Sequence, residues 1–270
     1  MIGRLARFFG ATLLFFGVAT PHSAAAAEPA RQPTQPIECR EIYFFGGHGL
    51  GEGGVEDWGE TVQDIFDKYL RGIHDADPDV AVGGEPIGYP RTEFPDWVQL
   101  VRERFSSGQE EVINGAIALN NQLTERYRAC PNEHFVLTGY SEGAWVIHLY
   151  LKNLGTRVLD RIAGVALLGD PQYRGTGAIP KLYPNHAITP YFPPAIEDRA
   201  ASWCVSYDLT EAKRTVFDPV CHYSGIGPGS DLANCLKAVK EELDNVWCPH
   251  LRYVETGGTK RAANFLVSRS

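Results

Sequence analysis

The chain lacks several features that would assign it to common functional classes. After residue 27 it has no apolar run near the roughly 20 residues that a transmembrane helix needs, so we expect no stable membrane insertion. It has no Cys-x-x-Cys pair, which argues against a structural zinc site. Basic side chains are few, with 25 Lys and Arg against 33 Asp and Glu, so nucleic acid is not an expected partner.

Two loops resemble ligand-binding motifs but lack the residues that would complete them. The glycine-rich loop 46–54 is not followed by Gly-Lys-Ser/Thr, which a phosphate-binding loop requires. Asp75, Asp77 and Asp79 have the spacing of calcium ligands, but the glycine and terminal glutamate of an EF-hand loop are missing. We therefore expect neither a metal ion nor a cofactor.

The N-terminal residues 1–27 have the layout of a secretory signal peptide. Arg4 and Arg7 precede the apolar run 8–19, and a run of alanines ends the segment. The formal charge of −8 becomes more negative when this leader is removed. We expect a secreted protein in which residues 28–270 form a single domain, a length that supports one sizeable core.

The six cysteines all lie in the part of the chain that is predicted to be exported. An even number of cysteines in an oxidising compartment favours disulfides over free thiols. Six cysteines allow about 15 pairings, and the residues themselves do not choose among them. The cysteines are Cys39, Cys130, Cys204, Cys221, Cys235 and Cys248.

Strand-like and helix-like segments alternate along the chain. The predicted strands are 41–45, 80–90, 135–138, 162–168 and 201–207, and the predicted helices are 61–73, a long helix from 107 to the proline at 131, 142–154 and 230–246. This alternation predicts an α/β fold with a parallel sheet and helices on both faces.

The stretch Gly139-Tyr140-Ser141-Glu142-Gly143 has the form of a nucleophile elbow, in which a serine occupies a strained turn between a strand and a helix. Side chains two residues before and two after such a serine would collide, so both positions require glycine. The predicted strand 135–138 and helix 142–154 are the neighbours that the motif needs. We therefore predict that Ser141 is a nucleophile.

This serine needs a base to take its proton and a carboxylate to orient that base. In α/β-hydrolases the chain order is Ser, then Asp or Glu, then His. Four histidines follow the serine, and we set His148 aside because it lies on the predicted helix 142–154. Of the other three, His186, His222 and His250, we choose His250 because it lies late in the chain, directly after a Cys-Pro pair. Asp208 and Asp218 lie within one cysteine-bounded loop, and the residues themselves leave both open as the acid.

The oxyanion formed during acyl transfer needs two backbone N–H donors. One donor is the residue after the nucleophile, which is Glu142. The other comes from the loop after an early strand. Our candidate is Leu50 in the loop 46–54, because the flanking glycines let the backbone approach a substrate.

Four motifs, taken in order, resemble the cutinase family of secreted serine esterases. They are Cys130-Pro131, Gly139-Tyr140-Ser141-x-Gly143-Ala144, Asp218-x-Val220-Cys221 and Pro249-His250-Leu251-x-Tyr253. The resemblance covers most of the chain from Cys39 onward. It implies a compact, cutinase-like α/β-hydrolase without a large lid, with a central mostly parallel sheet and helices on both faces.

The same resemblance implies roles for individual residues. It assigns the catalytic triad to Ser141, Asp218 and His250. It pairs the cysteines as Cys39–Cys130 and Cys204–Cys221, which leaves Cys235 to pair with Cys248.

The chain departs from the family pattern near the expected oxyanion site. His48-Gly49-Leu50-Gly51-Glu52 resembles the Arg-Gly-x-x-Glu loop of the family, with His in place of Arg and Leu50 in place of a hydroxyl residue. Glu142 replaces the usual Gln and adds a carboxylate near a site that must hold negative charge, so we expect slower activity. An insertion between the third and fourth cysteines leaves both Asp208 and Asp218 at family spacing from one cysteine.

The leading functional hypothesis is a secreted, monomeric carboxylic-ester hydrolase acting through an acyl-enzyme on Ser141. Its substrate would be a lipid, a polyester or an acylated polysaccharide, so cutinase, acetylxylan esterase, phospholipase and thioesterase activities are all open. The second hypothesis is a non-catalytic binder of lipid or polysaccharide that kept the scaffold, motivated by the altered oxyanion loop.

The expected acyl pocket rests on two further segments. The predicted helix 230–246 has an apolar face, and Tyr191 and Phe192 lie in the Pro- and aromatic-rich segment 173–200. If the helix lies over the pocket, these apolar groups would together form an acyl wall that favours short to medium acyl chains.

Overall fold

We analysed a computed structural model of the chain. It describes residues 36–90, 106–153, 157–178, 192–209, 214–223, 225, 230–240 and 248–270. Residues Ile37–Ser270 form one compact unit. The predicted signal peptide lies outside the described residues, as do His186 and Tyr191.

A five-stranded sheet, in which every described strand is parallel to its neighbours, forms the centre of the molecule in the order β2-β1-β3-β4-β5. The strands are β1 (Ile42–Gly47), β2 (Val82–Pro86), β3 (His134–Tyr140), β4 (Ile162–Leu168) and β5 (Ala200–Trp203). Because Gly139 pairs with Gly47 on one side and with Leu167 on the other, the carboxyl ends of β1, β3 and β4 lie side by side.

Helices cover both faces of this sheet. They are α1 (Glu60–Ala76), α2 (Ser106–Ala129), α3 (Glu142–Asn153), α4 (Asp231–Lys240) and α5 (Gly258–Val267). Strand side chains alternate between two apolar layers, as the two-residue period requires. Phe45 and Leu137 pack with α2 and α3, whereas Phe44 and Val136 pack with α1 and α5. The predicted α/β-hydrolase architecture is therefore confirmed.

The predicted strand 201–207 is wrong in one respect, because the chain leaves the sheet after Trp203. The next strand, β6 (Ser206–Leu209), pairs antiparallel with β7 (Arg214–Phe217) and forms a separate hairpin. Cys204 and Val205 lie between β5 and β6. Cys204 is disulfide-bonded to Cys221, and the carbonyl of Val205 accepts the N–H of Asp218 at 2.9 Å. These tertiary contacts redirect the backbone although the β-forming composition continues.

The structure pairs the six cysteines as the resemblance implies, in the disulfides Cys39–Cys130, Cys204–Cys221 and Cys235–Cys248. The first joins the chain before β1 to the end of α2. The second closes the β6–β7 hairpin at its base. The third ties α4 to the segment just before His250. Within the described residues, no helix is long and apolar enough to cross a bilayer.

Candidate active site

Ser141 occupies the turn between β3 and α3 and has a φ of 54°, in the left-handed region that residues other than glycine seldom adopt. A Cβ atom at Gly143 would lie 2.0 Å from the carbonyl oxygen of Gly47, and one at Gly139 would lie 2.6 Å from the backbone of Gly143. Both predicted glycines are therefore required by close backbone contacts. The N–H of Ser141 donates to the carbonyl of Leu168 at 2.9 Å, which fixes the turn against β4.

Three of the predicted site residues form one chain of hydrogen bonds. Nε2 of His250 lies 2.8 Å from Oγ of Ser141, and Nδ1 of His250 lies 2.8 Å from Oδ2 of Asp218. Because a carboxylate only accepts hydrogen bonds, Nδ1 carries the imidazole proton and Nε2 is left to accept the serine proton. All three residues are buried, and Asp218 is fully inaccessible to solvent.

The β6–β7 hairpin brings Asp218, and not its rival Asp208, to the histidine. Asp218 follows β7 directly, and its Oδ1 accepts the N–H of Val220 at 2.8 Å. Asp208 lies exposed on β6 and accepts a hydrogen bond from the Thr215 hydroxyl at 2.6 Å. His222 is also exposed and contacts the ring of Phe217. The geometry therefore distinguishes the two acids that the sequence left open.

Contacts from three further residues hold His250 and Asp218 in place. The ring of Tyr140 stacks on it with 5.0 Å between centroids, and the Tyr140 hydroxyl donates to the His250 carbonyl at 2.6 Å. Gly169 has a φ of 57°, and a Cβ atom there would lie 2.6 Å from Cε1 of His250. The Tyr253 hydroxyl donates to Oδ2 of Asp218 at 2.7 Å.

The sequence analysis assigned no role to Gly169, although its position offered a signal. It follows the predicted strand 162–168 directly, at the carboxyl end where the sites of α/β proteins form. A glycine there is typical of a close backbone approach. Here the close approach is to the imidazole.

The loop after β1 lies beside Ser141 and carries the predicted oxyanion donor Leu50. A Cβ atom at Gly49 would lie 3.5 Å from Cβ of Ser141, so the backbone just before Leu50 passes close to the nucleophile. Leu50 itself is half-buried. Glu142, the other predicted donor, is buried and begins α3.

His48, which stands where the family has Arg, holds this loop in place. Its carbonyl accepts the Tyr89 hydroxyl at 2.5 Å and the N–H of Gly143 at 3.0 Å, and its ring stacks on Tyr89 with 4.1 Å between centroids. Burial raises the pKa of Tyr89 well above its ordinary value, so this hydroxyl keeps the proton that it donates. The loop and the first turn of α3 are thus joined through one carbonyl.

Glu52 is a half-buried acid in the same loop. Burial raises the pKa of Glu52, while the hydrogen bond from the Thr61 hydroxyl at 3.0 Å and the nearby His250 lower it. The net upward shift favours the neutral acid. The upward shift lessens the negative charge that this side chain brings to a site that must stabilise an oxyanion.

A second buried pair of histidine and carboxylate lies away from Ser141. Nε2 of His148 lies 2.7 Å from Oδ2 of Asp170, and the Ser202 hydroxyl donates to the same oxygen at 3.0 Å. This serine bonds to the carboxylate rather than to the imidazole, so it is not activated as a nucleophile. The pair joins α3 to the turn after β4.

The described ranges contain no cluster of three or more potential metal ligands.

Comparison with known proteins identifies the family. The family model described as Cutinase matches residues 38–233. The chain belongs to the cutinase family. It is 34% identical over 93 residues to a cutinase of Hypocrea jecorina, an alignment that covers 34% of this chain and 35% of that protein. The chain thus matches about a third of the length of that cutinase.

A longer match and a solved structure extend the comparison. The chain is 26% identical over 253 residues to the carboxylesterase Culp1 of Mycobacterium tuberculosis, covering 93% of this chain and 92% of that protein. The catalytic core domain of acetyl xylan esterase from Trichoderma reesei superposes with a TM-score of 0.55 at 18% identity, covering 86% of this chain and all of that domain. At this identity the structural likeness shows the cutinase fold alone.

The contact between Gly143 and Gly47 gives a first prediction. Gly143→Ala should lower the free energy of unfolding by about 1–3 kcal/mol, because its Cβ would overlap a backbone carbonyl that cannot rotate away. Gly54→Ala is the matched control, since a Cβ there has no atom within 4 Å and the change should stay within about 0.5 kcal/mol. Urea unfolding of both variants measures the difference. Equal stability of the two would contradict the steric argument.

Proposed function

We propose that this cutinase-family chain is a secreted carboxylic-ester hydrolase that acts through an acyl-enzyme on Ser141. The observation that carries the proposal is the 2.8 Å contact between Oγ of Ser141 and Nε2 of His250, at a serine held in the left-handed region. A serine in this conformation presents its hydroxyl above the end of the sheet. Membership of the cutinase family supports the same chemistry.

In the acylation step, Ser141 Oγ bonds to the ester carbonyl carbon while His250 Nε2 takes the hydroxyl proton. The Asp218 carboxylate stabilises the imidazolium that forms. The oxyanion of the tetrahedral intermediate is held by the backbone N–H groups of Leu50 and Glu142. His250 then gives its proton to the leaving alcohol as the ester C–O bond breaks.

Water completes the cycle. His250 takes a proton from the water, whose oxygen bonds to the acyl carbon. The bond between the acyl carbon and Oγ of Ser141 then breaks as the proton returns to Oγ. The carboxylic acid leaves, and the free enzyme is restored. Burial of the three side chains strengthens these charge interactions, because little water screens them.

The altered residues of the oxyanion loop favour the enzyme over the alternative, a non-catalytic binder of lipid or polysaccharide. That alternative was motivated by His48 and Leu50, which replace the residues of the family. In the structure His48 is fully buried, its ring stacks on Tyr89, and its carbonyl joins the loop to α3 beside Ser141. The loop is therefore supported by a different side chain rather than left unsupported.

We also propose that the substrate carries a short to medium acyl chain. The disulfide Cys235–Cys248 ties α4 to the chain two residues before His250, and Leu232 of α4 is buried. A helix held so close to the base would limit the length of pocket open to an acyl chain. Phe192, expected in the acyl wall, is half-buried and stacks on His148 with 5.2 Å between centroids.

The proposed natural substrate is a carboxylic ester of a lipid, a polyester or a polysaccharide. The relatives described above are a cutinase, a carboxylesterase and an acetyl xylan esterase. An acyl group on a lipid, a polyester or a polysaccharide fits the same mechanism. The three disulfides support export to an oxidising compartment, and we expect the secreted chain to act as a monomer.

The nucleophile assignment predicts that Ser141→Ala abolishes ester turnover, with a loss on the order of 10⁶ in kcat. An organophosphonate should label the wild-type chain at Ser141 and leave this variant unlabelled by mass spectrometry. Ser202→Ala is the matched control, because its hydroxyl bonds to Asp170 and should not affect labelling. Absence of labelling in the folded wild type would favour the non-catalytic binder.

The acid assignment predicts that Asp218→Asn lowers kcat by about 10⁴, because the amide leaves the imidazole in the wrong tautomer. Asp208→Asn should retain nearly full activity, since Asp208 contacts Thr215 and not His250. Steady-state kinetics of the two variants on one ester compare them directly. The reverse ranking would move the role to Asp208.

The pocket proposal predicts that kcat/KM rises from acetate through medium-chain p-nitrophenyl esters and then falls toward palmitate. Each buried methylene adds about 0.8 kcal/mol until the wall ends. Replacing both Cys235 and Cys248 by alanine should release α4 and shift the optimum to longer chains. A rate that still climbs at palmitate in the wild type would show that α4 leaves the site open.

A further inference from the structure

The hydroxyl of Tyr253 is buried beside Asp218 and has several polar neighbours. It lies 2.7 Å from Oδ2 of Asp218, 3.3 Å from the carbonyl of Trp203 and 3.4 Å from the backbone nitrogen of Val205. Tyr253 is 1% exposed, so no bulk water competes for these contacts. Every partner of this hydroxyl therefore comes from the protein.

The single proton of this hydroxyl goes to the carboxylate. Asp218 is both the nearer acceptor and the charged one, and hydrogen bonds to charged acceptors are the stronger. The N–H of Val205 then donates to the tyrosine oxygen. Burial and the charge of Asp218 raise the pKa of Tyr253 well above its ordinary value, so the proton remains in place at neutral pH.

Tyr253 and His250 donate to the same oxygen. Oδ2 of Asp218 accepts Nδ1–H of His250 at 2.8 Å as well as the tyrosine hydroxyl, while Oδ1 accepts the N–H of Val220. A second donor on Oδ2 restricts the rotation of the carboxylate beside the imidazole. It also draws off part of the negative charge that would otherwise stabilise a protonated His250.

We propose that Tyr253 is a positioning residue of the proposed esterase: its hydroxyl orients the Asp218 carboxylate and limits how strongly that carboxylate favours protonated His250. This inference rests on the proposed function, because it assigns His250 as the base. It differs from a purely structural role, since a buried tyrosine that only filled space would leave the titration of His250 unchanged.

The direction of the effect follows from the charge. Without the tyrosine hydroxyl, Asp218 keeps more negative charge on Oδ2 and stabilises the imidazolium more strongly. The pKa of His250 then rises. Because kcat/KM requires neutral His250, the acid limb of its pH profile moves to higher pH.

Other titratable groups surround His250. Tyr140 stacks on the imidazole from β3. Glu52, in the loop after β1, interacts with His250 through charge, and Glu255 acts on Tyr140 in the same way. Tyr140 offers the matched control, because its hydroxyl donates to the His250 backbone carbonyl and not to the carboxylate.

The experiment compares Tyr253→Phe and Tyr140→Phe with the wild type in the full chain. For Tyr253→Phe we expect the acid limb of kcat/KM to move upward by about 0.5–1 pH unit, and the plateau kcat to fall about tenfold with KM unchanged. For Tyr140→Phe we expect no shift of the limb. Equal midpoints in the wild type and in folded Tyr253→Phe would overturn the proposal.

An NMR titration of the His250 ring separates this proposal from the proposed function. The His250 signal is assigned by its loss in His250→Gln, and its midpoint should rise in Tyr253→Phe whether or not any ester is turned over. Failure of phosphonate labelling would count against the esterase, whereas an unmoved His250 midpoint would count against Tyr253 alone.

A second variant covers the case in which Tyr253→Phe does not fold. Site-specific replacement of Tyr253 by 3-fluorotyrosine keeps the ring and makes the hydroxyl a stronger donor. The His250 midpoint should then move downward, opposite to the shift expected for Tyr253→Phe. A midpoint unchanged from the wild type would overturn the proposal by this route as well.

Discussion

Gly143 approaches Gly47 so closely that a single methyl group at position 143 would overlap a backbone carbonyl. This contact joins the first turn of α3 to the carboxyl end of β1. The N–H of Gly143 also donates to the carbonyl of His48, in the loop that β1 continues into. The nucleophile turn and the oxyanion loop are therefore joined directly through backbone contacts. The position of every other site residue is set relative to these two segments.

The acid and the base reach these two segments on less regular parts of the chain. Asp218 follows a hairpin, and His250 lies in a single 3-10 turn after Cys248. Both are held by contacts with the sheet side of the site: Asp218 through the carbonyl of Val205, and His250 through Tyr140 and Gly169. Disulfides lie close to both residues. In this site the nucleophile is held by the backbone of a regular strand-to-helix turn, whereas the acid and the base are each held by separate contacts of their own.

Much of this arrangement is predictable from sequence because it depends on local spacing. The elbow requires glycines two residues to either side of Ser141, and the alternation of strands and helices predicts the sheet. The split of the segment 201–207 is not predictable in this way, since the disulfide at Cys204 and the bond from Asp218 to Val205 act over distance. The roles of Gly169 and Tyr253 also depend on residues far away in the chain.

The choice between Asp208 and Asp218 shows why spacing alone was insufficient. Each lies at a family-like distance from one cysteine, so spacing along the sequence favours neither aspartate. The β6–β7 hairpin distinguishes the two aspartates, because Ser206 pairs with Phe217 and the two ends of the inserted segment meet. Asp218 therefore keeps its place beside Val205, while Asp208 is carried away along β6.

The hairpin has a consequence for how such a chain can vary. Because the paired residues Ser206 and Phe217 close its base, residues added in pairs beyond them lengthen the ladder outward and leave the acid where it is. A longer ladder would therefore leave the bond from the N–H of Asp218 to Val205 in place. Residues inserted beyond the pair Leu209 and Arg214, which lies at the opposite end of the ladder from Phe217, would enlarge the protein at a distance from the catalytic acid.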